Sequence, residues 1–180
     1  MKREKLKEGF VQVYTGSGKG KTTAALGLAL RAAGYGLRIF VLQFMKGNKG
    51  YGEVKAIKLL NPYIKIRQSG LCSFVQKNNP SREDKRLANK GFEIATKAVL
   101  SGDYDVLILD EINCALDFKL IELQKVLDLI EKKPLFVEMV LTGRNAPKEL
   151  IEKAHLVTEM REIKHYYSDL HIESRKGIDL

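Results

Sequence analysis

Residues 15–23 read TGSGKGKTT, and this stretch decides the fold prediction. A strand-like run, FVQVY at residues 10–14, precedes it, and a helix-forming run, AALGLAL at residues 24–30, follows it. A strand, a glycine-rich loop with Gly-Lys-Thr and a helix together form the context of a phosphate-binding loop. Glycines let backbone N–H groups turn toward phosphate oxygens, and the helix N-terminus adds partial positive charge. The stretch therefore predicts a nucleotide site.

Two side chains of this loop have expected roles. Lys21 can reach the outer phosphates, and Thr22 can place its hydroxyl on a magnesium ion. The usual motif has glycine six positions before its lysine, whereas this chain has Thr15 there and Gly16 one place later. A surface turn rich in Gly and Lys is the alternative interpretation, which the flanking strand and helix disfavour.

Composition indicates a globular protein with an anionic ligand. The 180 residues fit a single domain, 1–180, with a full-sized core. A net charge of +9 suits a nucleotide and equally suits nucleic acid, but Lys and Arg are scattered along the chain rather than gathered in one arm. We therefore expect a nucleotide and do not expect nucleic acid.

The chain carries no sequence signal for export or membrane insertion. Its first nine residues lack the apolar core of a signal peptide, and no apolar run approaches the ~20 residues of a membrane span. Cys72 and Cys114 form neither a metal-spaced pair nor a disulfide framework. These features predict a cytoplasmic protein with free thiols and no membrane partner.

Strand and helix patterns alternate along the chain. Apolar runs predict strands over residues 10–15, 38–43, 63–66, 105–110, 136–141 and 156–160. Helical patterns cover residues 22–34, 53–60, 81–100 and 146–154, and a further helix carries an apolar stripe of Leu120, Leu123, Leu127 and Ile130. This alternation predicts an α/β fold with a mainly parallel sheet covered by helices on both faces. Ligands of such folds bind at the carboxyl ends of the strands.

Two segments carry more detailed expectations. Ser81, with Asp84 three places later, fits a capping box that opens the helix over 81–100. The expected buried face of that helix consists of Leu87, Gly91, Ile94, Ala95 and Ala98. Residues 162–180 lack clear periodicity, which leaves two alternatives: a disordered tail, or a segment that folds over the site.

Asp110 and Glu111 end the buried run at residues 105–110. A carboxylate at this place faces the phosphate loop across the sheet edge and can bind magnesium, directly or through water. Neighbouring residues of an extended chain point to opposite sides, so the two acids should have different roles. A turn acid at a strand end is the alternative. Loop and acids together predict a nucleotide-binding enzyme without naming its reaction.

Over about residues 10–180 the chain resembles the P-loop type of ATP:corrinoid adenosyltransferase, the family that makes adenosylcobalamin. The resemblance rests on the loop with its Thr before the first Gly, and on VLQFMKG (41–47), LDE (109–111), TGR (142–144), LVTEM (156–160), KH (164–165) and KGID (176–179). It implies a three-layer P-loop NTPase-like fold of the RecA-like kind.

The resemblance also implies a reaction. A cob(I) corrinoid, either cob(I)alamin or cob(I)yrinic acid a,c-diamide, attacks the 5′ carbon of ATP and triphosphate leaves, in adenosylcobalamin biosynthesis or salvage. ATP would lie in the reverse sense to most P-loop proteins, so that its ribose faces the nucleophile. Magnesium or manganese would be the cofactor, ATP the co-substrate and the corrinoid the substrate. A homodimer and an electron donor such as a flavoprotein are compatible with the resemblance.

Carried over by position, the resemblance assigns site residues. Lys21, Thr22 and Glu111 would be catalytic, and Thr22 and Glu111 would hold the metal. Arg31 would lie near the nucleotide. The nucleotide-binding set of the loop consists of Thr15, Gly16, Ser17, Gly18, Lys19, Gly20, Lys21, Thr22 and Thr23.

The chain departs from the family pattern in two places. The family commonly has Gly-Phe-Thr-Trp after its third strand, where aromatic rings press on the corrin, whereas this chain has GLCSF at residues 70–74 and no Trp. Phe74 is the candidate replacement, and a core position is its alternative. Some relatives close over the corrinoid with a longer N-terminal helix, whereas here nine residues precede the first predicted strand. The lid is therefore either missing or supplied by the C-terminal tail.

Two rival functions fit the phosphate loop. A small-molecule kinase or NTPase would release ADP, and a nucleic-acid-binding ATP switch module would show turnover stimulated by polynucleotide and binding that weakens with salt.

Overall fold

The computed structural model describes residues 5–179, in which a six-stranded parallel sheet lies between helices. The strands are β1 (Val11–Thr15), β2 (Ile39–Phe44), β3 (Ile64–Ser69), β4 (Val106–Asp110), β5 (Glu138–Thr142) and β6 (Leu156–Glu159). The helices are α1 (Lys21–Gly34), α2 (Gly52–Ile57), α3 (Arg82–Leu100), α4 (Ile112–Asp117), α5 (Leu123–Lys132), α6 (Lys148–Lys153) and α7 (Tyr166–Leu170). The strand order is β3-β2-β4-β5-β1-β6, and every neighbouring pair is parallel. The predicted α/β class is confirmed.

Alternate residues of each central strand pack on opposite faces of the sheet. In β2, Val41 joins Ala25 and Ala29 of α1 in one buried cluster, whereas Leu42 joins Phe92 of α3 in another. The same alternation runs along β4, where Ile108 lies in the α1 cluster and Leu107 and Leu109 lie in the α3 cluster. The sheet is therefore the middle of three layers, and its central strands are apolar on both faces.

Helix α3 buries a face that only partly coincides with the expected one. Ser81 and Asp84 form the predicted capping box. Of the expected residues, Gly91 and Ala95 are buried and Leu87, Ile94 and Ala98 are partly buried, while Ala88, Phe92 and Val99 complete the buried face. The sequence carries two overlapping apolar stripes one residue apart, so periodicity alone does not choose between them. Gly91 belongs to both stripes. A Cβ at this position would collide with the Ser69 side chain of β3, so the glycine lets the helix approach the strand closely without deciding which stripe is buried.

Other differences are local. The helix expected over 53–60 is α2 followed by a 3-10 turn at Lys58–Leu60, and β3 runs on to Ser69 because it pairs with β2 along its whole length. Helix α4 is missing from the prediction. It begins where Glu111 takes a left-handed backbone conformation (φ 63°) that ends the strand and redirects the chain. Within residues 5–179, no helix combines the length and the apolar character that crossing a membrane requires.

Candidate nucleotide site

The loop between β1 and α1, residues 16–20, has the geometry of an anion site. Gly16 (φ 95°) and Gly20 (φ 109°) adopt left-handed backbone conformations that residues with side chains rarely take. Gly20 is the N-cap of α1, whose 14 residues begin directly at the loop. The first N–H groups of that helix and the positive end of its dipole are therefore available to a phosphate group at the loop.

Lys21 is folded back across this loop. Its side chain is 8% exposed, and its Nζ donates to the carbonyl oxygens of Gly16 and Gly18, each at 2.7 Å. Burial lowers the pKa of Lys21 from its ordinary value, and the charge of Glu111 opposes that shift. Phosphate oxygens can replace the two carbonyl oxygens as acceptors for the ammonium, so Lys21 is placed to reach a bound polyphosphate.

Three polar side chains lie in one row across the carboxyl ends of β2, β4 and β5. The strand register pairs Gln43 with Asp110, and a side-chain hydrogen bond places Thr142 of β5 on the other side of Asp110. The Asp110 carboxylate is 1% exposed. Its Oδ1 accepts from the Thr22 hydroxyl at 2.8 Å and the Thr142 hydroxyl at 2.7 Å. Its Oδ2 accepts from Lys46 at 2.8 Å and Gln43 at 3.1 Å, so four donors satisfy this buried charge.

Lys46 supplies the positive charge that balances Asp110. Its side chain is one-fifth exposed, and its Nζ also lies 3.5 Å from the Thr22 hydroxyl oxygen. Burial by itself would lower the pKa of Lys46, but the charge and hydrogen bond of Asp110, together with the charges of Glu111 and Glu53, outweigh burial and raise that pKa. Lys46 is thus a site residue to which the sequence analysis assigned no role. Its position just after β2, next to the acidic end of β4, is the signal that could have identified it.

Glu111 does not belong to the row of polar side chains at the ends of β2, β4 and β5. Its N–H donates to the Thr142 hydroxyl oxygen at 3.0 Å, and it forms the N-cap of α4. Its carboxylate acts electrostatically on Lys21 and on the thiol of Cys114. Burial, with Glu111 adding to it, raises the pKa of Cys114 to about 12. The two neighbouring acids therefore have different surroundings.

The structure pairs Thr22 directly with Asp110, whereas the resemblance pairs Thr22 with Glu111 through a metal. Strand periodicity contains the signal for the observed contact. Asp110 follows Ile108 by two residues, and Ile108 packs on the α1 face of the sheet, so Asp110 also points toward α1. Thr22 lies in the first turn of that helix. The role of Glu111 as a metal ligand stays a prediction.

The remaining predicted residues are more scattered. The Thr15 hydroxyl oxygen accepts from the N–H of Ala146 at 3.2 Å and so ties β1 to the segment before α6. Ser17 and Thr23 are exposed at the loop. Arg31 lies in the last turn of α1, where it lines a cavity of about 580 Å³ together with Glu138 at the start of β5. The structure does not bring Arg31 to the phosphate loop.

Phe74 lies five residues after β3, in the irregular segment that follows the carboxyl end of that strand. Its side chain is fully exposed, and Phe74 is therefore not a core residue. Among residues 5–179, no three or more His, Cys, Asp or Glu side chains gather into a group that could hold a metal ion.

Comparison with known proteins gives this site a family. The family model for ATP:corrinoid adenosyltransferase BtuR/CobO/CobP matches residues 7–180. The chain is 32% identical to a corrinoid adenosyltransferase of Pseudomonas aeruginosa over 171 residues, which cover 95% of this chain and 83% of that protein. It is 36% identical to a corrinoid adenosyltransferase of Sinorhizobium over 174 residues, covering 96% and 80% of the two chains.

Two further comparisons bear on length and fold. An uncharacterized protein of Nostoc is 34% identical over 181 residues, which cover 94% of this chain, and the chain spans about half of that protein, 47% of its length. The crystal structure of a KaiC-like protein from Pyrococcus horikoshii superposes with a TM-score of 0.57 at 20% identity, covering 88% of this chain and 76% of that one. This likeness shows the P-loop NTPase-like fold alone. The family match and the two named relatives together establish that the chain belongs to the ATP:corrinoid adenosyltransferase family.

Proposed function

We propose that this protein transfers the 5′-deoxyadenosyl group of ATP to the cobalt(I) of a reduced corrinoid and releases triphosphate. The observation that carries the proposal is the junction between the phosphate loop and the acidic end of β4, made by the Thr22–Asp110 hydrogen bond, in a chain of this family. The junction brings a site for a polyphosphate and a site for its counter-charge together at the carboxyl edge of the sheet.

The proposed step requires little proton chemistry from the protein. A cobalt(I) electron pair forms the bond to the 5′ carbon, and the bond from that carbon to oxygen breaks with its electron pair leaving on triphosphate. Cobalt(I) carries no proton to remove, so the reaction needs no general base at the nucleophile. The protein has to position two reactants and stabilise a leaving polyanion, and Lys21 with the N-terminus of α1 suits the second task.

The residues at this junction suit magnesium or manganese. The Thr22 hydroxyl and the carboxylates of Asp110 and Glu111 are hard oxygen donors next to the place for the phosphates, which is the donor set that Mg²⁺ takes in nucleotide sites. We propose that Thr22 and Glu111 would hold the ion. When bound, the ion would neutralise charge on the triphosphate. Asp110 would not hold the ion itself, because Lys46 already balances its charge. It would act through its hydrogen bond to the Thr22 hydroxyl.

The corrinoid side of the site is proposed to include Phe74. Its full exposure near the carboxyl edge leaves an aromatic ring free to contact a corrin face, and the family resemblance suggests that use. ATP bound in the reverse sense would turn its ribose toward the corrinoid. The place of Thr15 at the start of the loop, where most P-loop enzymes have glycine, supports a nucleotide position that differs from theirs.

The resemblance suggests two further parts of the proposal, a homodimer and an electron donor such as a flavoprotein. Two others rest on the sequence itself: a single domain, from the length of 180 residues, and a cytoplasmic location. Free thiols at Cys72 and Cys114 support the last of these, since cysteines of cytosolic proteins are kept reduced.

Phosphorus NMR of the reaction mixture tests the proposal. The protein is incubated with magnesium ATP, hydroxocobalamin and a reductant strong enough to form cobalt(I), and the cobalt–carbon bond is followed by its absorbance. We expect tripolyphosphate in a one-to-one ratio with adenosylated corrinoid. Stoichiometric ADP without tripolyphosphate would contradict the proposal and favour a kinase. A Lys21→Ala sample is the control for contaminating activity.

A further inference from the structure

The segment after β6 packs directly on the phosphate loop. The carbonyl oxygen of Met160 accepts from the N–H of Gly18 at 2.7 Å, and the N–H of Met160 donates to the carbonyl oxygen of Thr15 at 2.8 Å. A Cβ on Gly18 would lie 2.8 Å from the carbonyl carbon of Arg161. Loop and segment therefore touch backbone to backbone, with no room for a side chain between them.

The far end of the same segment returns to the loop and closes on it through four side chains, Lys19, Tyr166, Arg175 and Asp179, which we call the C-terminal latch. Lys19 Nζ pairs with Asp179 and also donates to the Tyr166 hydroxyl oxygen at 2.6 Å. The Tyr166 hydroxyl hydrogen-bonds to the Asp179 carboxylate. The backbone N–H and Nε of Arg175 donate to Asp179 Oδ2 at 3.0 and 3.2 Å, and its guanidinium lies 4.6 Å from the centre of the Tyr166 ring.

Asp179 is the centre of the latch. Its side chain is 6% exposed, whereas Lys19 and Arg175 are about half exposed. The hydrogen bond from Lys19, followed by that from Tyr166, lowers the pKa of Asp179 well below its ordinary value, so the carboxylate is charged at neutral pH. Two cations and a hydroxyl converge on one carboxylate in charge-assisted hydrogen bonds, which are stronger than neutral ones.

We propose that Asp179 is a positioning residue for nucleotide binding, which holds Lys19 and thereby keeps the phosphate loop in its binding conformation. The physical reason is conformational entropy. Three glycines within residues 16–20 give the free loop many accessible conformations, and fixing each residue in one of them is costly. A latch that orders the loop before ATP arrives removes that cost from the binding step. The proposal rests on the proposed function only in taking ATP as the nucleotide.

The primary test measures magnesium ATP affinity by calorimetry without corrinoid, for the wild type and Asp179→Asn. We expect Asp179→Asn to raise the dissociation constant about fivefold, since the amide keeps the shape but loses the charge-assisted bonds. In steady state the KM for ATP should rise by the same factor, while kcat at saturating ATP should change by less than about twofold, because the latch acts on the ground-state loop. An unchanged or tighter ATP affinity would overturn the proposal.

Conservative and control variants separate positioning from a general structural effect. Asp179→Glu keeps the charge and should recover most of the ATP affinity. Glu173→Gln removes an exposed acid from the same segment and should leave the affinity unchanged. Tyr166→Phe keeps the ring and loses the hydroxyl, so it should weaken ATP binding about twofold and serves if Asp179→Asn fails to fold. A failure of Asp179→Glu to recover affinity would count against the carboxylate as the active group.

A double-mutant cycle with Lys19→Gln tests the route of the effect. If Asp179 acts through Lys19, then the double variant should bind ATP no more weakly than the weaker single variant. Fully additive losses would overturn that route. Adenosyl transfer is scored separately in the same samples. A loss of ATP affinity in Asp179→Asn, with no adenosylated corrinoid formed by the wild type, would retain the latch and reject the proposed function.

Discussion

Two regions at the carboxyl edge of the sheet hold the phosphate loop in different ways. The Asp110 centre, made by Thr22, Gln43, Lys46, Asp110 and Thr142, is built on the ends of β2, β4 and β5, and its central carboxylate is 1% exposed. The C-terminal latch carries its cations on the surface, with Lys19 47% exposed. Salt screens buried and partly buried charge pairs much less than it screens exposed pairs. We therefore expect salt to weaken the contacts of the C-terminal latch more than those of the Asp110 centre.

The largest effect is expected for Lys21, whose buried side chain folds back across the phosphate loop. Lys21→Ala should lower adenosyl transfer by about 100-fold or more, because losing the ammonium costs about 3 kcal/mol of charge stabilisation on the leaving triphosphate. The rate of corrinoid adenosylation is the measurement, and circular dichroism checks that the variant is folded. Lys19→Ala, in the C-terminal latch, is the matched control and should lower the rate by no more than about tenfold. Equal losses in the two variants would contradict a special role of Lys21 in stabilising the leaving triphosphate.

The Asp110 centre should contribute to the stability of the fold as well as to the site. Lys46→Met leaves the Asp110 carboxylate buried without its counter-charge, so the free energy of unfolding should fall by about 2 kcal/mol in the absence of nucleotide. Urea denaturation measures it. Asp179→Asn is the comparison from the latch and should lower that free energy less than Lys46→Met does. A larger loss of stability at Asp179 would reverse the comparison.

The raised pKa of Lys46 also predicts how the stability of the fold depends on pH. The folded-state pKa of Lys46 is raised, so the folded protein keeps a proton that the unfolded chain releases above its own lysine pKa of about 10.4. The stabilisation is therefore complete below that pH and is lost as the pH rises through the folded-state value. Wild-type stability should fall more steeply than that of Lys46→Met above about pH 10.4. Parallel curves in urea titrations would contradict the assignment.

Substitutions of Glu111 and Asp110 should differ in how much they raise the magnesium requirement, and this effect is smaller than those above. Glu111→Gln should raise the magnesium concentration needed for half-maximal activity about tenfold, since the amide lacks the charge that a hard cation prefers. Asp110→Asn should raise it less, because Asp110 is already paired with Lys46. Activity is titrated with magnesium at fixed ATP. A larger shift at Asp110 would identify Asp110 as the metal ligand in place of Glu111.

The smallest effect is expected at Phe74, on the exposed surface near the site. Phe74→Ala should raise the KM for corrinoid about fivefold, because an exposed ring in contact with a ligand contributes on the order of 1 kcal/mol. ATP affinity and melting temperature should stay unchanged, since the side chain is fully exposed. Tyr35→Ala, another exposed aromatic residue that lies just after the end of α1, is the control. If both variants bind corrinoid like the wild type, Phe74 has no part in its binding.

Local sequence patterns carry much of the fold because their signals lie within one element. The alternation of strands and helices, the phosphate loop and the capping box of Ser81 and Asp84 all agree with the structure. The buried face of α3 could not be predicted in the same way. Two overlapping apolar stripes one residue apart compete on that helix, and both contain Gly91 and Ala95, so only the packing of α3 against the sheet decides between them.

The site shows the same difference between features set by local sequence and contacts set by packing. The order of residues along the chain determined that a strand, a glycine-rich loop with Lys21 and Thr22, a helix and a later acidic strand end would occur, since each is a local pattern. Strand periodicity indicates the face of the sheet on which Asp110 lies, but only the tertiary structure brought Thr22 into contact with it, 88 residues away, and Lys19 into contact with Asp179, 160 residues away. Such contacts depend on strand order, register and the path of the C-terminal segment. They are set by packing between elements, which no short stretch of sequence specifies.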